Sequence, residues 1–209
     1  MGRILLIIII LGAILAWFGF QEWRLAGAAS TTPKTITCAD LEAKGPGDNA
    51  HVILTDFILC PSGFVYESSS KGNDSNYTKI WIPAVPLHGE YIEELKKLAD
   101  SGKDLSHPPA PKNIRVIVRS SHVHNDGELE KLGDRETIQG LIVNKVDSLG
   151  SKEKEILSSQ YPGVNINTCW ILDEGRSPKS FGAAGGMIGG GAVLALIGVG
   201  GFVLGAKKG

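Results

Sequence analysis

Gly182-Ala-Ala-Gly-Gly-Met-Ile-Gly-Gly-Gly-Ala-Val-Leu-Ala-Leu-Ile-Gly-Val-Gly-Gly-Phe-Val-Leu-Gly-Ala206 is a run of 25 residues without a charge, closed by Lys207 and Lys208. In water this would be a poor helix, because each glycine costs about 1 kcal/mol against alanine. In hydrocarbon the balance reverses. A lone segment there must satisfy every backbone N–H and C=O internally, and only a helix does so. At ~1.5 Å of rise per residue the run is long enough to cross a bilayer core. The glycines then have a use. Gly182, Gly186 and Gly190 recur every four residues, Gly185 and Gly189 run beside them, and Gly201 with Gly205 repeats the interval. Small residues spaced this way let a second helix approach to backbone contact. Three partners fit the stripe: the chain's own first helix, where Gly12 and Ala16 form a matching patch, the same helix of a second copy, or a helix of another membrane protein.

The amino terminus carries the first helix. Ile4 to Phe20 is 17 residues without a charge, just enough to span the hydrocarbon, with Trp17 and Trp23 near its outer end. A cleaved signal peptide shares the loose pattern, with Arg3, an apolar run and the small residues Ala26, Gly27, Ala28 and Ala29. The run is longer than most signal cores, and Glu22, Trp23 and Arg24 stand before the small residues, so an uncleaved anchor is the expectation. The layout is therefore a transmembrane helix at 4–20, a juxtamembrane linker at 21–34, a soluble domain at 35–173, a short linker at 174–181 and a second transmembrane helix at 182–206. The lipid bilayer is the first expected partner. Positive tails stay cytoplasmic, so Arg3 at one end and Lys207 with Lys208 at the other place the domain outside the cytoplasm of a plasma membrane.

The middle of the chain is the size of one domain. Between Leu25 and Phe181 it holds 17 Lys and Arg against 21 Asp and Glu, a balance of -4. Nucleic acid is excluded as a partner on that count, because no clustered Lys and Arg are present to neutralise phosphates. The three cysteines, Cys38, Cys60 and Cys169, contain no Cys-x-x-Cys pair, which removes zinc ribbons and thioredoxin-like chemistry. Cys38 and Cys60 have two readings, a disulfide in an oxidising compartment or small buried side chains.

Strand-length apolar runs recur through the domain. Val52 to Leu59 is nearly continuous, and Ile80 to Val85 is bounded by Pro83 and Pro86. Ile114, Val116 and Val118 alternate with Arg115 and Arg119. Ile138 to Val143 and Val164 to Leu172 complete the set, with Ile166, Thr168, Trp170 and Leu172 on one face. Two helices stand out. Tyr91, Ile92, Leu95, Leu98 and Ala99 make an apolar stripe ended by Gly102, with Glu93 and Lys97 paired on the wet face. Lys152 to Gln160 forms the second, with Ser151 as its N-cap and Pro162 and Gly163 beyond its end. The fold class expected is α+β: one mixed, β-rich soluble domain with about two packed helices, flanked by the two transmembrane helices.

Motifs for chemistry are sparse. His122-x-His124-x-Asp126 would bring three metal ligands to one side of an extended chain, but Ser120, Ser121, Asn125 and Gly127 make the stretch turn-like and favour a solvated loop. Asn144-Lys145-Val146-Asp147 matches a guanine-reading element, yet no Gly-x4-Gly-Lys-Ser/Thr phosphate cradle accompanies it, so the match reads as coincidence. The triplets at Asn73 and Asn76 are glycan acceptors only in a eukaryotic secretory compartment. No catalytic residue or cofactor is assigned. The expected function is a two-pass membrane protein presenting an interaction or assembly domain beside the bilayer, without enzymatic activity. The alternative is a membrane-bound hydrolase or metal-dependent enzyme whose site is dispersed in sequence.

Overall fold

The structure is a computed structural model and describes residues 2–60, 64–68, 76–105, 108–109, 111–143, 150–162 and 164–206. The chain divides into two compact units, one made of both ends (residues 1–31 and 178–209) and one of the middle (Thr32–Ser177).

The first unit is a helical hairpin. Helix α1 runs from Gly2 to Ala28 and helix α6 from Phe181 to Ala206, and both are long and apolar enough to cross a membrane. α1 does not stop at Phe20. No proline interrupts residues 21–28, so the first eight residues of the expected linker stay helical and Pro33 lies beyond the end. The two helices run antiparallel: Leu5 meets Gly198 and Gly201, Gly12 meets Gly191 and Ala195, and Gly19 meets Met187 and Ile188. The approach is backbone to backbone. A Cβ on Gly12 would lie 2.6 Å from the Gly191 carbonyl oxygen, and one on Gly191 would lie 2.5 Å from the Ala16 amide nitrogen. Gly12 and Gly19 are seven apart, as are Ala184, Gly191 and Gly198, so one small residue returns to the seam every second turn. Most large side chains point away from it: Ile4, Ile7, Leu11, Trp17, Leu196 and Ile197 are all exposed, Leu196 at 70%, while Leu5, Ile9, Met187 and Ile188 lie against the glycines of the facing helix.

The second unit is an α+β domain. In chain order it comprises β1 (Lys34–Thr37), α2 (Cys38–Lys44), β2 (His51–Thr55), β3 (Phe57–Leu59), β4 (Val65–Ser68), β5 (Tyr77–Pro86), α3 (Glu90–Asp100), β6 (Val116–Ser120), α4 (Asp126–Gly133), β7 (Ile138–Ile142), α5 (Ser151–Gln160) and β8 (Trp170–Glu174). The strands form one mixed sheet in the order β1-β2-β7-β8-β6-β5-β3, and β4 pairs with the first half of β5. β1 with β2 and β6 with β8 are parallel, and every other pair is antiparallel. The sheet is nearly closed on itself, because α2, which follows edge strand β1, also packs on β5 and β6 near the far edge. The registers place Lys79, Trp81, Arg119 and Asp173 on one face and Ile80, Ile82, Val118, Leu172 and Ile142 on the other. Apolar side chains of both faces are buried, Trp81 and Ile117 completely.

Several expectations need correction. The domain has four α-helices among its described residues, not about two. α2 and α4 are short, and each opens on a capping side chain: Thr37 accepts from the Asp40 amide and Asn125 from the Glu128 amide. Val52 to Leu59 is two strands rather than one. Asp56 breaks it with φ 52°, a left-handed turn that aspartate tolerates better than most residues. Residues 166–168 form a 3-10 turn, with the Asn165 side chain accepting from the Asn167 amide, so β8 begins only at Trp170 and Ile166 is off its face. The expected pairing on α3 also shifts by one residue, for Glu93 binds Lys96 at 2.9 Å, and α5 is capped by Gly150, whose amide Glu153 accepts from, with Ser151 already inside the helix.

Candidate functional site

The polar chemistry of the domain gathers where β6 and β8 end. These strands are parallel and in register, with Arg119 beside Asp173, so Ser120 and Glu174 come next and face the opposite way. On the first face Arg119 grips Asp173 by a two-point fork, Nε to Oδ1 at 3.0 Å and Nη2 to Oδ2 at 2.7 Å. Its Nη1 donates to Glu153 at 3.2 Å, and Lys79 reaches the same Glu153 oxygen at 3.2 Å. Burial opposes the charge on Arg119, but the two carboxylates override it and raise the pKa. Burial likewise opposes ionised Glu153, and Arg119 and Lys79 hold it below the usual carboxylate range. Glu153 sits in the first turn of α5, where its Oε2 also accepts from the Gly150 amide at 3.2 Å. This network therefore fastens α5 to the sheet.

On the second face Glu174 is only 8% exposed. Arg135 donates to its Oε1 at 2.7 Å, Ser120 Oγ to its Oε2 at 2.8 Å and His122 Nδ1 to the same oxygen at 2.9 Å. Burial alone would raise its pKa, but these donors lower it, Arg135 foremost. Ser120 also turns the chain, its Oγ accepting from the His122 amide at 3.1 Å. Gly175 follows with φ 74°, and a Cβ there would lie 2.9 Å from the His122 ring. The outcome is an imidazole held by one nitrogen against a buried carboxylate while its side chain is 67% exposed. Such a pair can move a proton. Ser120 gives its own proton to Glu174 rather than to the imidazole, so it does not stand as a nucleophile.

The spacing-by-two triplet is split. His122 belongs to Glu174, whereas His124 and Asp126 both turn to Tyr77. His124 Nδ1 donates to the Tyr77 carbonyl at 2.9 Å, and the Tyr77 hydroxyl donates to Asp126 Oδ1 at 2.5 Å. The chain is extended at the N-cap Asn125 and turns helical at Asp126, the first residue of α4, which ends the alternation that the triplet needed. Among the described residues no three His, Cys, Asp or Glu side chains are placed to hold a metal ion. Sequence reading missed Glu174, Arg135 and Ser120 as members of this cluster. Fifty-odd residues separate Glu174 from Ser120, and only the parallel β6–β8 register joins them.

A cleft of about 390 Å³ lies beside α4, with Leu59, Ile82 and Leu129 among its walls and Asp126, Glu130 and Asp134 also lining it. Across β5, Phe64, Tyr66 and Tyr77 form an aromatic cluster, with Tyr66 and Tyr77 centred 4.8 Å apart. The cysteines lie elsewhere. Cys38, Cys60 and Cys169 are buried free thiols. Burial pushes Cys60 and Cys169 each up to about 11 and Cys38 higher still, so none is poised as a thiolate.

In the hairpin, Gly185, Gly186, Gly189 and Gly190 have nothing within 4 Å of a Cβ position, and Gly182 meets only the Ser180 hydroxyl at 4.0 Å. The seam with α1 uses Gly191 and Gly198 instead. Asn144–Asp147, the Asn73 triplet, His107, Lys207 and Lys208 lie outside the described residues. No protein-family model, curated protein or solved structure matches this chain, so its own geometry is what bears on function.

Proposed function

We propose that the chain is a two-pass membrane protein that holds a water-soluble α+β domain beside the bilayer as an interaction or assembly module. The carrying observation is the inside-out hairpin, with glycine and alanine at the closest points of its seam and most of its leucine, isoleucine and tryptophan side chains outward. A soluble helix pair buries its large side chains, whereas lipid supplies no drive to do so and rewards close backbone packing. With both helices spanning, the two tails share one side, and their basic residues favour the cytoplasm, leaving the domain outside the plasma membrane. An interaction role is favoured because the strongest polar groups are spent on one another: Arg119 on Asp173 and Glu153, Ser120 and Arg135 on Glu174. The outward glycines Gly182, Gly186 and Gly190 with Gly185 and Gly189 then suit a further helix, from a second copy or another membrane protein, since α1 occupies the other side.

Alkaline carbonate extraction tests the anchor: the full chain is expected in the membrane pellet, and release into the supernatant ends this reading. Impermeant labelling of a cysteine placed at Ser70 in intact cells tests the side. Cross-linking in native membranes identifies what the domain holds, and replacing Gly186 and Gly190 by leucine should reduce capture through the helix.

The second reading, a membrane-bound hydrolase or metal-dependent enzyme, draws on the His122–Glu174 pair. A stoichiometric metal in purified protein, lost on replacing His122 and His124 by alanine, would favour it.

A further inference from the structure

The cleft beside α4 has a lining of unusual composition. Leu59, Ile82 and Leu129 supply apolar wall, Asp126, Glu130 and Asp134 supply carboxylates, and among the described residues no Lys, Arg or His lines it. Its volume of about 390 Å³ is within the range of small-molecule sites. The carboxylates stand at i, i+4 and i+8, so they follow one side of α4 at intervals of ~6 Å. Like charges at this spacing cost a helix a few tenths of a kcal/mol per pair. Asp134 is also the C-cap, where the helix dipole disfavours a negative charge. Asp126 is oriented by the Tyr77 hydroxyl. A helix that accepts these costs along the wall of an apolar cleft is matched to a cation with a greasy body.

We propose that this cleft binds an alkyl di- or polyammonium, its methylene chain on Leu59, Ile82 and Leu129 and its ammonium groups on the carboxylates one helical step apart. Complementarity of charge and of spacing selects this class. A single ammonium uses one carboxylate, and a neutral diol uses none. The site belongs to the soluble unit and stands independently of whether α1 and α6 cross a bilayer.

The test is calorimetric titration of the full chain in neutral-detergent micelles, at low ionic strength, with 1,5-diaminopentane. Pentylamine and 1,5-pentanediol serve as matched probes. Saturable one-to-one binding of the diamine is expected, at least tenfold tighter than pentylamine, with no heat of binding from the diol. The double variant Glu130→Gln/Asp134→Asn, which leaves the buried core untouched, should weaken it at least tenfold. Leu129→Trp, which fills the cleft and keeps every charge, should do the same, with circular dichroism confirming the fold. Absence of saturable heat in the unmodified chain overturns the proposal. So does equal affinity in Leu129→Trp, which would mean attraction to an acidic surface rather than to the cleft. Preference for a lysine-rich peptide over the diamine would also overturn it in favour of a protein partner.

Discussion

The two units pack by opposite rules. In the domain, Trp81, Ile117 and Leu141 are fully buried, and the carboxylates inside are paired, Asp173 with Arg119 and Glu174 with Ser120, while the Trp81 indole N–H has no partner among the described residues. In the hairpin the smallest residues are innermost, and Ile4 and Leu196 stand 65% and 70% exposed. One polypeptide of 209 residues thus places large apolar side chains in contrary positions. On the function proposed above, the difference lies in the surroundings. Water drives hydrocarbon inward at roughly 25 cal/mol per Å², whereas between lipid-facing helices that drive vanishes and short-range contact decides.

The contrast is sharpest for truncation. Trp81→Ala should cost about 3–5 kcal/mol in the domain, whereas Leu196→Ala should stay within ~0.5 kcal/mol. Denaturant unfolding of the full chain in detergent measures both. A comparable loss at Leu196 would show that the hairpin keeps a water-type core after all. Enlargement should give the reverse asymmetry. Gly191→Leu should reduce oxidative cross-linking of an L5C/G201C pair several-fold, because Leu5 packs on Gly201 across the seam that Gly191 opens. Gly190→Leu, one residue away, should leave it unchanged, since nothing stands within 4 Å of its Cβ position. Equal effects would remove the one-sided seam.

Acid should loosen the domain through two carboxylates. Glu153 and Glu174 have folded pKa values below the ordinary 4.5. Their contribution is therefore complete above that value and is lost as pH falls through the lowered ones. The denaturation midpoint should drop as pH is taken from 7 to below 4, and Glu174→Gln should flatten the profile. An unaltered profile in that variant would take the His122–Glu174–Arg135 cluster out of the stability of the fold. Smallest of all, Lys96→Ala should change unfolding by under ~0.5 kcal/mol, since its pair with Glu93 is open to solvent.

Much of the coarse layout was legible because each signal was long or repeated. Uncharged runs mark the two apolar helices, and the alternation around Val116 and Val118 marks β6. The helix at Glu90–Asp100 follows from its apolar stripe, and that at Ser151–Gln160 from Glu153 in its first turn and Pro162 beyond its end, although its N-cap is Gly150 and not Ser151. What escaped was short or non-local. α2 and α4 span 7 and 8 residues, too few for a periodic pattern, and their only cues were Thr37 and Asn125 as caps. The break at Asp56 has no apolar signature. The Ser120–Glu174 contact depends on a strand pairing across 54 positions, which no local reading can reach. For the hairpin, a four-residue glycine interval drew attention to the face of α6 without a partner, while the seam to α1 follows a seven-residue interval through Ala184, Gly191 and Gly198.

The strand order also constrains how this protein is made. β1 and β2 leave the ribosome early, as do β3, β4 and β5, yet β7, β8 and β6 lie between these groups in the finished sheet. Synthesis must reach Glu174, the last residue of β8, before the gap can be bridged, and only six residues then precede Phe181 and α6. The nascent chain therefore carries two unjoined half-sheets with open edges through most of its translation, a state prone to wrong pairing. Any version cut short before β8 should be cleared or aggregate rather than fold.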